Sequence, residues 1–178
     1  ADAKSETKFN VDILGNINAF STNAKPSGEL PVIGKTIPAE IMPETIISNG
    51  VKFQLPKNNK GMLCGGQSLI LPSGTKTVHI LMAALNGDKH IKLNGSAYRI
   101  NDITENYAGW DLYDFKEVAF TKPGKLGYEF THSHTENGDA QCQQLFFWNV
   151  EVEVNGKSFI NFPVDRDILV LSIVADTD

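Results

Sequence analysis

Hydrophobic residues in this chain fall into short runs of strand length, several of them alternating with polar residues at a period of two, as in a strand with one buried face. From Leu145 to Val154, residues Phe146, Trp148, Val150, Val152 and Val154 share one face, while Asn149, Glu151 and Glu153 share the other. The pattern predicts a strand with a core side and a wet side. By contrast Val78–Leu85 and Ile168–Val174 are apolar on both faces, which predicts strands in the middle of a sandwich. Further strands are expected over Phe9 to Leu14, Val51 to Leu55, Ser68 to Leu71, Lys89 to Leu93, Ala97 to Asn101, Lys116 to Phe120 and Leu126 to Thr131. Helical periodicity is scarce.

Turn residues separate these runs. Asn49-Gly50, Asn86-Gly87, Asn94-Gly95, Asn137-Gly138 and Asn155-Gly156, with Ser27-Gly28, Pro72-Ser73-Gly74 and Pro123-Gly124, supply the positive-φ positions that tight hairpins need. Asn155-Gly156 is expected to fold the Leu145–Val154 strand back onto Lys157–Phe162 as a two-residue hairpin. The Gly-rich stretch Gly61-Met62-Leu63-Cys64-Gly65-Gly66-Gln67 leads into a strand and not a helix, so it lacks the N-terminal amides that hold phosphate. It reads as a tight connection. About ten short strands without helices between them predict an all-β fold, an antiparallel two-sheet β-sandwich of jelly-roll type. Residues 9–178 form one such domain, and residues 1–8 are expected to be a disordered leader or linker.

Charge removes some partners. The chain of 178 residues carries a net charge of −5, spread along its length, so no positive field gathers nucleic acid or anionic lipid. No apolar run reaches the roughly 20 residues of a membrane-spanning helix, and the N-terminus has no signal-peptide core. With 41% hydrophobic residues the chain can bury a core without disulfide or metal. Cys64 and Cys142 are compatible either with one disulfide in an oxidising compartment or with two buried thiols. The sequon Asn94-Gly95-Ser96 is better explained as a turn.

Two segments suggest chemistry. The loop Asn106-Tyr107-Ala108-Gly109-Trp110-Asp111-Leu112-Tyr113-Asp114 joins three aromatic rings to two carboxylates and an amide. Sugars offer apolar C–H faces for ring stacking and hydroxyls for carboxylates and amides. Trp110, Tyr107 and Tyr113 are therefore the expected stacking residues, with Asp111, Asp114 and Asn106 binding hydroxyls. The competing reading has Trp110 plugging the end of the sandwich. His132-Ser133-His134 would place two imidazoles on one strand face, as β-barrel metal enzymes present ligands, but no third ligand follows at the right spacing and the metal assignment stays unknown. A structural calcium fits loops rich in carboxylates and carbonyls, although no Asp-rich loop identifies one. Nucleophile elbows, phosphate loops and zinc-protease motifs are absent. His79 and His90 read as structural.

Several segments, taken in order, resemble the non-catalytic, galactose-binding-like β-sandwich domains that accompany glycoside hydrolases, notably α-mannosidase-like proteins. They are Gly50–Leu55, Gly66–Pro72, the apolar strand through His79 to Leu85 ending in Asn86-Gly87-Asp88, Thr131–His134, Leu145-Phe146-Phe147, and Asn161-Phe162-Pro163 with Ile168–Ala175. The likeness spans roughly residues 50–175; Phe162-Pro163 stands where the group more typically has Leu-Pro. It implies a secreted, extracellular module that binds a polysaccharide or glycan, attached to or beside a catalytic glycoside hydrolase domain, and is not itself an enzyme. Two alternatives remain in view: a structural or protein-interaction sandwich that binds no sugar, and a small metal-dependent β-barrel enzyme using His132 and His134.

Overall fold

A computed structural model describes residues 7–21, 37–39, 42–103, 125–130, 133–135, 138–140, 145–154 and 156–178. Among these residues the regular structure is strand, with no α-helix, and the fold is a β-sandwich. Its main sheet has seven strands: β1 (Lys8–Val11), β2 (Ile17–Asn18), β7 (Lys60–Gly65), β9 (Thr77–Ala84), β12 (Lys125–Phe130), β15 (Leu145–Glu153) and β17 (Val164–Asp176). They lie in the order β12-β15-β9-β17-β7-β2, with β1 also paired to β17. Five smaller pairs accompany it: β3 (Phe20–Ser21) with β4 (Ile37–Pro38), β5 (Thr45–Ser48) with β6 (Val51–Gln54), β8 (Ser68–Ile70) with β16 (Phe159–Asn161), β10 (Lys89–Leu93) with β11 (Ser96–Ile100), and β13 (Ser133–Thr135) with β14 (Gly138–Ala140). All pair antiparallel except β3 with β4.

The two strands expected to be buried on both sides occupy the centre. On β9, Val78, Ile80, Met82 and Ala84 enter one apolar cluster with Leu69, Ile91, Leu93, Ile100 and Ile160 from β8, β10, β11 and β16. Leu81 and Ala83 enter the other, with Phe20, Ile37, Ile46, Val51 and Phe53 from β3 to β6. The main sheet is thus covered on both faces, which is why its central strands are near-continuous apolar runs. Burying such side chains contributes about 1.5–3 kcal/mol each relative to exposure.

Local turn chemistry explains the hairpins. Asn49-Gly50 (φ 50° and 76°) closes β5–β6, and Asn94-Gly95 (φ 51° and 87°) closes β10–β11, both with the left-handed pair that a type I′ turn requires. The Asn94 amide also donates to Phe159 O at 2.8 Å and its Oδ1 accepts from Asn161 N at 2.8 Å. The sequon asparagine is accordingly a clamp between the β10–β11 and β8–β16 pairs.

The chain after Val154 departs from the expected hairpin. Lys157 N bonds Val154 O at 3.0 Å, yet the following strand β16 pairs with β8 and not with β15. The edges of β15 are already taken by β12 and β9, so the chain leaves the main sheet and joins the covering layer. A second correction concerns Gly61–Gly65, read as a connection: it is β7, a buried strand between β17 and β2. Gly61 is needed there because a Cβ would stand 2.7 Å from Leu169 Cδ1 and 3.2 Å from Ala19 Cβ. Thirdly, β15 does not divide cleanly into core and wet faces. Phe146, Phe147 and Trp148 join one cluster and Val152 and Val154 the other. Glu151 and Glu153 are exposed as expected, but Asn149 is buried, and its amide donates to Ser48 O and Ser48 Oγ at 3.2 and 3.3 Å.

Candidate functional site

A groove opens where two strands share one edge of β17. β1 pairs with Ile173–Asp176, whereas β7 pairs further back, through Val164, Asp165, Leu169 and Val170. Leu171 and Ser172 fall between and have no register partner on that side. On the other side the β17–β9 register shifts between Val170 and Ser172, the signature of a bulge, a device that often marks the neighbourhood of a site. β1 peels away after Val11, and the space left has a volume of about 450 Å³.

Three segments far apart in sequence bound it. Asn10 to Ile13 and Gly15 form one wall, Gln54 to Asn58 with Lys60 form the other, and Leu171 and Ser172 stand at the back. The second wall is shaped by the β6–β7 connection: Asn58 Oδ1 accepts from Lys60 N at 3.1 Å, and Asn59 takes φ 61°, a conformation that asparagine tolerates better than most residues. The first wall is pinned by Asn16, whose side chain exchanges two 2.9 Å hydrogen bonds with Leu63 N and O. Leu55 and Leu171 are buried, Val11 and Ile13 half-buried, and the amides of Asn10, Gln54 and Asn58 are exposed. Ser172 is only 2% exposed, and its Oγ has no hydrogen-bond partner among the described residues. A buried hydroxyl left unpaired costs about 1–3 kcal/mol, so a ligand or water that satisfied it would be bound with that advantage.

Several other polar groups of the described residues are spent on architecture. Asp102 Oδ2 accepts from Gly87 N at 2.6 Å, Asp88 Oδ1 accepts from Asp102 N at 2.7 Å, and Arg99 meets Asp88 at 3.0 Å. Together they hold the Asn86-Gly87 turn. Lys89 lies 3.9 Å from Asp165 and 3.5 Å from Asp167. His79, read as structural, meets Asp176 at 3.3 Å, with Lys8 3.8 Å from the same carboxylate, so the two ends of the described chain are tied together. No group of three or more His, Cys, Asp or Glu among the described residues is arranged to hold a metal.

Cys64 is a free, buried thiol on β7. Burial, followed by the charge of Asp165, pushes its pKa from about 9.0 up to about 12. A thiol held neutral is a poor nucleophile. Native protein at pH 8 should therefore resist alkylation at Cys64 and lose that protection on unfolding, as peptide mapping after brief iodoacetamide treatment would show. Unfolded chains ionise this thiol near pH 9 while folded ones keep the proton, so stability is intact below pH 9 and declines from there toward pH 12. The slope is at most about 1.4 kcal/mol per pH unit, and Cys64→Ala should flatten it. Rapid labelling of the native thiol at pH 8 would contradict this account.

The stacking residues Trp110, Tyr107 and Tyr113, and the hydroxyl-binding Asp111, Asp114 and Asn106, lie outside the described residues, as do His132, Cys142 and the expected strand Lys116 to Phe120. His134 sits on β13 with its backbone opposite Asp139. The groove itself escaped sequence reasoning. Two signals pointed towards it: the wholly polar run Lys57-Asn58-Asn59-Lys60 between two strands, and Ser172 as the one hydroxyl in the apolar run of β17.

Fold and groove together define a β-sandwich domain with a polar cleft at a strand junction. The chain belongs to the AziU2-like beta-sandwich domain family, whose model matches residues 5–178. No curated protein matches it. The family match bears on the sandwich and not on a relation to glycoside hydrolases.

Proposed function

We propose that this domain is a non-catalytic carbohydrate-binding module, working outside the cytoplasm beside glycan-degrading machinery, and that its sugar lies in the groove between β1, β6 and β7. The observation that carries this reading is the buried, unpartnered Ser172 hydroxyl at the back of a cleft whose rim offers three side-chain amides. Amides donate and accept at once, as sugar hydroxyls do, and the apolar floor of Val11, Ile13, Leu55 and Leu171 suits the C–H faces of a pyranose. Non-catalytic action is supported by the neutral Cys64 and by the commitment of the Asp88, Asp102 and Asp165 carboxylates to backbone amides and cations. The loop carrying Trp110 is a second place at which the same ligand class would bind.

Affinity should be modest, with Kd on the order of 0.1 mM, because sugar hydroxyls trade water for protein with little net gain. A glycan array followed by titration calorimetry tests it, with wild type beside Asn10→Ala/Gln54→Ala, Ser172→Ala and Trp110→Ala. Selective binding that the groove variants lose and Trp110→Ala keeps is the expected result. Loss in Trp110→Ala alone would move the site to the loop, and silence across the array with a folded protein would overturn glycan binding.

A further inference from the structure

From its charges we infer that the groove selects a carboxylate-bearing sugar, a uronic acid unit, over its neutral counterpart; the inference rests on the carbohydrate reading above. The lining residues Asp12, Lys57 and Lys60 supply one negative and two positive side chains, a local surplus of cation in a chain whose net charge is −5. The Asp12 carboxylate already has a neighbour, Asn10 Nδ2 at 3.5 Å. Neither Lys57 nor Lys60 has an ion-pair partner among the described residues, in contrast to Lys8, Lys89 and Arg99, each of which faces a carboxylate. Both lysines flank the Asn58 turn and line the same cleft that offers Asn10, Gln54 and Asn58 for hydroxyls, within reach of a ligand's carboxylate through their flexible stems. Lysine is a compact point charge on a flexible stem, suited to one carboxylate oxygen, whereas planar bidentate capture is the task of arginine. A single unit with a carboxylate at one end and hydroxyls around its ring matches that distribution. A plain anion would leave the amides unused, and a neutral sugar would leave the ammonium groups unpaired.

Partly exposed charge pairs are individually weak, so two of them predict a preference of about fivefold for the acid over its methyl ester. The advantage should shrink as salt is raised, since the Debye length falls to about 3 Å at 1 M. Titration calorimetry with an oligouronate, its methyl ester and the carboxyl-reduced oligosaccharide tests this on the full chain, using wild type, Lys57→Gln/Lys60→Gln, and Lys76→Gln/Lys92→Gln as a charge-matched variant outside the groove. Expected is a preference for the acid that the first variant abolishes, with its ester affinity unchanged, and that the second retains. Equal binding of acid and ester, lost in Asn10→Ala/Gln54→Ala, would overturn the charge selection and leave glycan binding in the groove standing. A preference that survives Lys57→Gln/Lys60→Gln would equally overturn it, and binding of none of the three would remove both readings.

Discussion

Replacing Trp148 by alanine should cost about 4 kcal/mol of folding stability, within the range of about 3–5 kcal/mol for large aromatics removed from a core. The indole is among the largest fully buried side chains, 2% exposed, on β15 between Leu126 of β12 and Met82 of β9. Its ring packs 6.3 Å from that of Phe146, tilted by 39°. Nε1 donates to Asp102 O at 3.4 Å, so the substitution opens a cavity and removes a donor from the segment that bridges to Ala84. With about 2–4 °C lost per kcal/mol in a domain of this size, the midpoint should fall by about 10 °C. Trp148→Phe keeps most of the apolar area and should lose about half as much. Urea and thermal denaturation decide between these values; an alanine variant melting within about 2 °C of wild type would mean that β15 is not the packed strand described.

Trp148 also shows how far the sequence could be read. Its burial was legible because alternation along Leu145–Val154 is a local property, and so was the β10–β11 hairpin, written into Asn94-Gly95; at Asn49-Gly50 the turn and the strand after it were legible, but β5 before it was not. β9 and β17 were legible for the same reason: a strand covered on both faces has apolar residues at every position. What failed was choice of neighbour. Nothing within Asn155-Gly156 reveals that both edges of β15 are occupied, and nothing within Gly61–Gly65 reveals that Leu169 packs against the missing side chain of Gly61. Asn149 was misplaced because its partner, Ser48, is 101 residues away. The groove is the extreme case, since it exists only through the meeting of residues 10–15, 54–60 and 171–172. The aromatic loop from Asn106 to Asp114, by contrast, was conspicuous in composition and lies outside the described residues.

Gly127 offers the sharpest test of the sheet's outer edge. It sits at the register shift between Leu126 and Tyr128, where β12 bulges against β15. A Cβ there would overlap Leu81 Cδ1 and lie 2.8 Å from Phe147 O. Leu81 is fully buried and cannot swing aside without disturbing the cluster it shares with Phe147 and Leu169, and the carbonyl belongs to backbone that is itself paired with β12 at Tyr128. Overpacking of this kind typically costs about 1–3 kcal/mol, so Gly127→Ala should lose about 2 kcal/mol and Gly127→Val more than about 3 kcal/mol. Truncating Leu81 removes only one of the two obstacles, and Gly127→Ala/Leu81→Ala should therefore not recover the stability of Leu81→Ala alone. Hydrogen exchange should localise the damage: the amides of β12 lose protection first, while those at the β9–β17 centre keep theirs, because opening an edge strand leaves the pairing of Ile80 with Ile173 untouched. Stability unchanged in both variants would show that β12 is held further from Leu81 than its bulge requires.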